Sequence, residues 1–133
     1  MARVLIVEPD ADTAAEIVAA LDAIPPERVR LYGTKPCVVP DVAAGLAALH
    51  EGLNWELVVA SVAEAAFDGW ALVRAVRERF SLLDVPVIVI APYRSSTVEM
   101  EAMAVGVNLW LPRPVHREEL GRLLLTLTMC EDR

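Results

Sequence analysis

A short acidic segment near the amino terminus holds the first side chains that could do chemistry. Glu8, Asp10 and Asp12 lie at alternate positions, with Pro9 after the first. Mg²⁺ requires hard oxygen ligands, and Glu8 with Asp10 supply too few charges for a convincing site made only of protein groups. The segment also lacks glycine, and its acids would repel phosphate. Tight binding of Mg²⁺ or of a nucleotide is therefore not expected.

Ser61 is the candidate nucleophile. A serine hydroxyl needs a general base, and neither histidine is an obvious one, because His50 falls late in a predicted helix and His116 opens another. The tripeptide Ala60-Ser61-Val62 also lacks the Gly-x-Ser-x-Gly pattern of serine hydrolases. We therefore favour a serine that satisfies nearby backbone groups over a small α/β enzyme with Ser61 as nucleophile.

Composition limits the class of protein. The net charge is −7, and no cluster of Lys or Arg stands out, so direct nucleic-acid binding is not expected. No apolar run approaches the roughly 18 residues of a membrane span, and the apolar stretch at residues 4–7 is short for a secretory signal. Cys37 and Cys130 lack metal-ligand spacing. We expect one cytoplasmic domain over residues 1–133, without cofactor or membrane contact.

Apolar runs alternate with amphipathic segments along the whole chain. The predicted strands are β1 at residues 4–7, β2 at 28–32, β3 at 56–60, β4 at 85–90 and β5 at 107–111. The predicted helices are α1, which begins after a cap at Asp10 or Asp12 and ends at Pro25-Pro26, α2 between Asp41 and Gly52, α3 from Gly69 to Phe80, α4 between Ser96 and Gly106, and α5 from His116 to Leu127. Residues 33–40 are predicted to be a proline-bounded loop.

This alternation predicts the fold class. Strands separated by helices cannot pair as hairpins, so they should lie parallel, with helices on both faces. The prediction is an α/β fold with three layers around a doubly wound, five-stranded parallel sheet, with the weak β2 at or near an edge. Ligands in such folds bind beyond the carboxyl ends of the strands. The positions to inspect are Glu8-Pro9-Asp10, Ser61, Ala91 and Arg113, each placed just after a predicted strand.

Four segments carry a family resemblance. They are Val-Leu-Ile-Val-Glu-Pro-Asp at residues 4–10, Asp68-Gly69, Ala104-Val105-Gly106 and Trp110-Leu111-Pro112-Arg113-Pro114. Together they resemble the receiver domains of bacterial response regulators, over essentially the full chain. The 30 positions from Ser61 to Ala91 and the 22 from Ala91 to Arg113 are similar to typical receiver spacings. The first half is longer than usual, and we assign the surplus to residues 33–40.

The resemblance implies a flavodoxin-like strand order, 2-1-3-4-5, and a specific site. Typical receivers form an aspartyl phosphate with the help of Mg²⁺, a hydroxyl and a lysine. At the matching positions this chain has Ser61 for the acceptor, Pro9 for the direct metal ligand, Ala91 for the hydroxyl and Arg113 for the lysine. Serine cannot form an acyl phosphate, and arginine is forked where lysine is a point charge. The resemblance therefore implies a degenerate receiver, or pseudo-receiver, that lacks phosphotransfer.

Three smaller expectations concern the same edge of the sheet. Glu8 and Arg113 can form an ion pair across the mouth of the site. Asp10 is expected to cap α1. The Arg113–Pro114 bond matches a family peptide bond that is usually cis.

The predicted function is protein contact without phosphorylation. The resemblance implies a partner or homodimer surface on α4, β5 and α5, where Met100, Met103 and Trp110 lie. Trp110 matches the family's aromatic switch position, and we expect a fixed anchor there because tryptophan is bulky. Two alternatives stay open: a working receiver that uses Asp10 or Asp68 as acceptor or ligand, and the small enzyme described above.

Overall fold

The computed structural model describes residues 4–24, 35–51, 55–62, 69–81, 84–92 and 96–129. The strands are β1 Val4–Val7, β2 Cys37–Val39, β3 Leu57–Ser61, β4 Val87–Ala91 and β5 Leu109–Pro112. The helices are α1 Ala11–Asp22, α2 Val42–Glu51, α3 Gly69–Arg79, α4 Ser96–Val105 and α5 Arg117–Met129. No helix among these residues is both long enough and apolar enough to cross a membrane.

The strands form one parallel sheet in the order β2-β1-β3-β4-β5. Every residue of β1, β3 and β4 is buried, as expected for strands covered on both faces. The predicted α/β fold, its doubly wound sheet and its strand order are therefore confirmed.

Helices cover the two faces of the sheet with separate hydrophobic clusters. On one face, Ile17 of α1 and Leu120 and Leu124 of α5 pack with Ile6 and Ile88. On the other face, residues of α2 and α3 pack with Val7, Val58 and Val89; they include Leu49, Leu72 and Val76. Leu120 and Leu124 are fully buried, in agreement with the predicted apolar seam of α5.

Short polar contacts begin two of these helices at the predicted residues. Asp10 caps α1 by accepting a hydrogen bond from the backbone N–H of Thr13. Asp41 caps α2 in the same way, through the N–H of Ala44 at 2.8 Å. Gly106 ends α4 with a φ of 91°, a conformation that favours glycine.

The prediction for β2 is wrong in its position. The predicted residues 28–32 lie outside the described part of the chain, and β2 is formed by Cys37–Val39, inside the segment predicted as a loop. These residues pair with Leu5, Ile6 and Val7. The prolines at 36 and 40 flank the strand and do not interrupt it, which an edge strand tolerates. The predicted edge location is confirmed.

Strands β3, β4 and β5 begin and end one or two residues later than predicted. Val85 and Val107 are apolar, but their N–H groups donate to Ser81 and Ala102, at or near the carboxyl ends of α3 and α4. They belong to turns for that reason. Ser61 and Ala91 are consequently the last residues of their strands and do not follow them.

Candidate functional site

The carboxyl ends of the central strands bring the predicted site residues to one edge of the sheet. Glu8 follows β1 and Arg113 follows β5, while Ser61 and Ala91 end β3 and β4. The parallel register pairs Ser61 with Ile90 and Ala91 with Pro112. This alignment places all four positions side by side at the mouth of the sheet.

Glu8 is the buried anion of the site. Its backbone N–H donates to the carbonyl of Val39 at 3.0 Å, which extends the β1–β2 ladder by one residue. The residue is only 3% exposed. Its carboxylate accepts hydrogen bonds from the N–H of Asp10 at 3.0 Å, from the Ser61 hydroxyl and from Arg113. These partners satisfy the buried carboxylate oxygens of Glu8 within the protein.

Ser61 lies between the anion and the cation. It is 1% exposed, and its hydroxyl donates to Glu8 Oε1 and accepts from Arg113 Nη2 at 2.8 Å. The start of α3 passes directly behind it, because a Cβ at position 69 would collide with the carbonyl oxygen of Ser61. Gly69 is therefore required by this close approach.

Arg113 is aimed into the site by the end of β5. Pro112 has no N–H, and the N–H of Arg113 donates to the carbonyl of Ala91 at 2.9 Å. The Arg113–Pro114 peptide is cis, as the resemblance implied. From this position, Nη2 lies 3.0 and 2.9 Å from the two carboxylate oxygens of Glu8. The expected ion pair is present, with side-chain exposures of 26% for Arg113 and 0% for Glu8.

The network continues to the start of α1. Arg113 Nη1 donates to Thr13 Oγ1 at 3.2 Å, and Thr13 Oγ1 donates to Asp10 Oδ2 at 2.6 Å. The side-chain hydrogen bond from Thr13 lowers the pKa of the Asp10 carboxyl, with smaller contributions from the Thr13 N–H and the nearby Arg113 charge. Asp10 is itself exposed, so water screens these interactions.

Thr13 is the member of this network that the sequence analysis missed. Its position three residues after a predicted cap was the available signal, since that is the spacing at which a cap meets the first turn of a helix. The bond to Arg113 could not be foreseen, because 100 positions separate the two residues.

The remaining predicted residues lie outside the network. Ala91 is fully buried and contributes a methyl group. His50 and His116 are exposed. Asp68 lies outside the described residues. Within the described ranges, no group of three or more His, Cys, Asp or Glu side chains could hold a metal ion.

The predicted contact residues lie on the α4 side of the sheet. Trp110 is half-buried and packs against the cluster that also receives Val98 and Val105 of α4. Met100 and Met103 are 71% and 76% exposed. Trp110 therefore contributes to packing beneath α4, and Met100 and Met103 project from the outer surface of that helix.

The described side chains at this edge satisfy one another. Among the described residues, no buried side-chain nitrogen or oxygen lacks a hydrogen-bond partner. The Ser61 hydroxyl does meet a carboxylate, but it is enclosed and shared with a guanidinium. Chemically, the arrangement is a closed ion pair bridged by a hydroxyl.

Solved structures with the same fold are response-regulator receiver domains. A CheY-like receiver domain protein from Methanospirillum hungatei JF-1 matches with a TM-score of 0.73 and 17% identity, over 98% of each chain. The chemotaxis protein CheY4 of Vibrio cholerae matches with a TM-score of 0.75 and 22% identity, over 96% of this chain and 98% of that one. A response regulator/GGDEF domain protein matches with a TM-score of 0.79 and 22% identity.

The last match covers all of this chain but only 51% of that protein, so the present chain spans about half its length. No protein-family model and no curated protein matches the sequence. The chain thus has the receiver fold.

Proposed function

We propose that this chain is a pseudo-receiver: a signalling module that acts through protein contact, independently of aspartyl phosphorylation. The observation that carries the proposal is the position of Arg113. Its guanidinium contacts both carboxylate oxygens of Glu8 and the hydroxyl of Ser61. A cation fixed in the chain thus takes the place at which a phosphoryl group or metal ion would need to bind.

Charge supports the same proposal. Glu8 and Arg113 neutralise each other, which leaves Asp10 as the other carboxylate among the described network residues. A divalent cation prefers six or more oxygen ligands, including carboxylates, or a shell of retained waters. To recruit Glu8, it would have to displace Arg113. Separating a buried ion pair typically costs about 3–5 kcal/mol.

The acceptor position supports it as well. Ser61 presents a neutral hydroxyl, and Ala91 presents no hydroxyl with which to bind a phosphoryl oxygen. Asp10, the alternative acceptor, is held as a helix cap by two hydrogen bonds from Thr13. For an enzyme with Ser61 as nucleophile, the 1% exposure of Ser61 is unfavourable. Catalysis is therefore not part of the proposal.

The contact surface in this proposal is the outer side of α4, with β5 and α5 beside it. Met100 and Met103 would meet a protein partner or the same surface of a second copy. The module is proposed to act as one domain in the cytoplasm. Direct nucleic-acid binding is not included in the proposal, because the chain has 19 acidic and 12 basic residues and its net negative charge would repel a phosphate backbone.

A phosphodonor experiment tests the proposal. The protein is incubated with acetyl phosphate and Mg²⁺, and its intact mass is measured beside that of the Asp10→Asn variant. We expect no added phosphoryl mass in either protein, because neither offers a free buried carboxylate beside a bound cation. A stoichiometric phosphoryl adduct on the wild type that is lost in Asp10→Asn would instead support a working receiver of unusual design.

A further inference from the structure

The hydrogen bonds of β2 define which of its backbone groups face outward. Strand β2 pairs only with β1 in the described sheet, and the carbonyl of Val39 accepts from the N–H of Glu8. In an extended strand, the N–H and C=O of one residue point to the same side, and successive residues alternate. The backbone N–H and C=O groups of Cys37 and Val39 therefore point towards β1. Those of Val38 point the opposite way, towards the outer edge of the described sheet.

The positions on either side of Val38 that share its outward direction are both proline. The sequence from 36 to 40 is Pro-Cys-Val-Val-Pro, with β2 at Cys37–Val39. Continuing the alternation of β2 by one residue at each end directs positions 36 and 40 outward, like position 38. Proline has no N–H to donate. Of these three positions, Val38 alone can donate a backbone hydrogen bond to an added strand.

We propose that Pro36 and Pro40 close the β2 edge of the sheet to strand addition, by a second copy of this chain or by a partner. Without them, this segment would be a favourable template, because it is apolar, β-branched and uncharged. Val38 is 45% exposed, so its side chain leaves this edge accessible. In the proposal, strand addition is prevented by the two missing N–H groups.

The other edge of the sheet has a proline in the same orientation. In β5, the N–H of Arg113 donates to the carbonyl of Ala91, and the register pairs Ala91 with Pro112, so the backbone groups of positions 109, 111 and 113 face β4. Pro112 therefore lies on the outer side of β5, as Pro36 and Pro40 do on β2. This inference rests on the backbone of β2 and is independent of the proposed function.

The test is a double variant, Pro36→Thr with Pro40→Thr, which restores both donors and keeps β-propensity. Sedimentation velocity is recorded over a range of protein concentrations, with a reductant so that Cys37 cannot form disulfides. We expect concentration-dependent species in the double variant that the wild type does not form. Pro9→Thr is the matched control, because Pro9 is exposed but lies on no sheet edge. Adding Val38→Lys to the double variant should reverse the association, since charged edges resist pairing.

Hydrogen exchange at the Val38 amide shows where any association occurs. Its measurement on the wild type does not depend on whether the double variant folds. In the wild type, the exchange rate should be the same at low and high protein concentration. In the double variant, it should slow by about tenfold or more at high concentration, because that N–H becomes paired. Concentration-dependent protection of Val38 in the wild type would overturn the inference. A folded double variant that sediments like the wild type would overturn it too.

Discussion

At the scale of single residues, the forked side chain of Arg113 explains how the site is closed. One nitrogen reaches Glu8 and Ser61, and the other reaches Thr13. A lysine ammonium is a single compact charge and lacks this planar fork. The change from the lysine implied by the receiver resemblance thus keeps the charge while it ties β1, β3 and α1 to the end of β5.

Removal of Arg113 should leave Glu8 buried without its counter-charge. We expect Arg113→Met to lower the free energy of unfolding by about 2–4 kcal/mol, somewhat less than a fully buried pair because Arg113 is partly exposed. Urea unfolding of Arg113→Met, Glu8→Gln and the double variant measures the coupling. The double variant should lose less than the sum of the two single changes.

The exposed pair formed by Arg117 and Glu16 at 2.7 Å is the internal control for this cycle. Arg117→Met should lower the free energy of unfolding much less than Arg113→Met does, because water screens a surface ion pair. Equal losses at Arg113 and Arg117, or strict additivity of the Glu8 and Arg113 changes, would contradict the account of the site.

Asp10 gives the site a stability that depends on pH. Hydrogen bonding from Thr13 lowers the pKa of Asp10 in the folded protein. A lowered folded pKa contributes stability above the unfolded pKa of about 3.9, and this stability is lost as pH falls through the folded value. The unfolding free energies of the wild type and of Asp10→Ser, which keeps a capping hydroxyl, should therefore differ most above about pH 4 and converge as pH falls through the folded pKa of Asp10. A difference that does not change with pH would exclude the charged cap.

At the scale of elements, Arg77 connects α3 with the segment before β4 and with the segment between α4 and β5. From α3, its guanidinium donates to the carbonyls of Gly106 and Val85 at 2.7 and 2.8 Å, and to Asn108 Oδ1 at 2.7 Å. Asn108 Oδ1 also accepts from the N–H that begins β4, that of Val87. Burial lowers the pKa of Arg77. The side chain fixes where β4 and β5 begin.

Replacement of Arg77 by lysine should show how much these hydrogen bonds contribute to the free energy of unfolding. Lysine keeps the charge but cannot satisfy several carbonyls in one plane, so we expect a loss of about 1–3 kcal/mol in unfolding free energy. Amide exchange at Val87 and Val107 should accelerate more than exchange in α1. Arg122→Lys, at an exposed position of α5, is the control and should change little.

Much of the element pattern could be predicted because it follows from local rules. The buried strands carry continuous apolar runs, and Asp10 and Asp41 stand where caps belong. The position of β2 could not be predicted in the same way. Its three residues gain strand structure from pairing with β1, and two prolines at its ends favoured a loop when the sequence was considered alone.

The residues of the site could be predicted from the sequence, but most of the hydrogen bonds between them could not. The strand ends and the receiver resemblance indicated Glu8, Ser61, Ala91 and Arg113. The hydroxyl bridge through Ser61 and the branch to Thr13 depend on distances between residues far apart in sequence. No local pattern encodes those distances.

At the scale of the whole molecule, the large apolar side chains that are exposed within the described ranges are concentrated on one helix. Val38, Met100 and Met103 are the exposed large apolar side chains of the described part of the chain. The two methionines are three residues apart and lie next to each other on α4. On its inner side, Ala102 is the buried residue of this helix. The outer side of α4 therefore offers a contiguous surface for contact.

A double change, Met100→Gln with Met103→Gln, should separate contact from folding. Both side chains are exposed, so the free energy of unfolding should change by less than about 0.5 kcal/mol. If the methionines anchor an interface, self-association or partner binding should weaken by about tenfold or more. Sedimentation equilibrium and affinity capture measure these effects, with the exposed Glu118→Gln on α5 as control. Unchanged association would place the interface elsewhere.

In the proposed function, the ion pair of Glu8 and Arg113 occupies the place of a phosphoryl group and its metal. Titration of ¹⁵N-labelled protein with Mg²⁺ and beryllium fluoride, a phosphoryl mimic, measures whether that place is still available. We predict that the amide signals of Glu8, Ser61 and Ala91 shift no more than they do with a matched concentration of sodium chloride. Saturable shifts at these three residues that require both reagents would contradict the account.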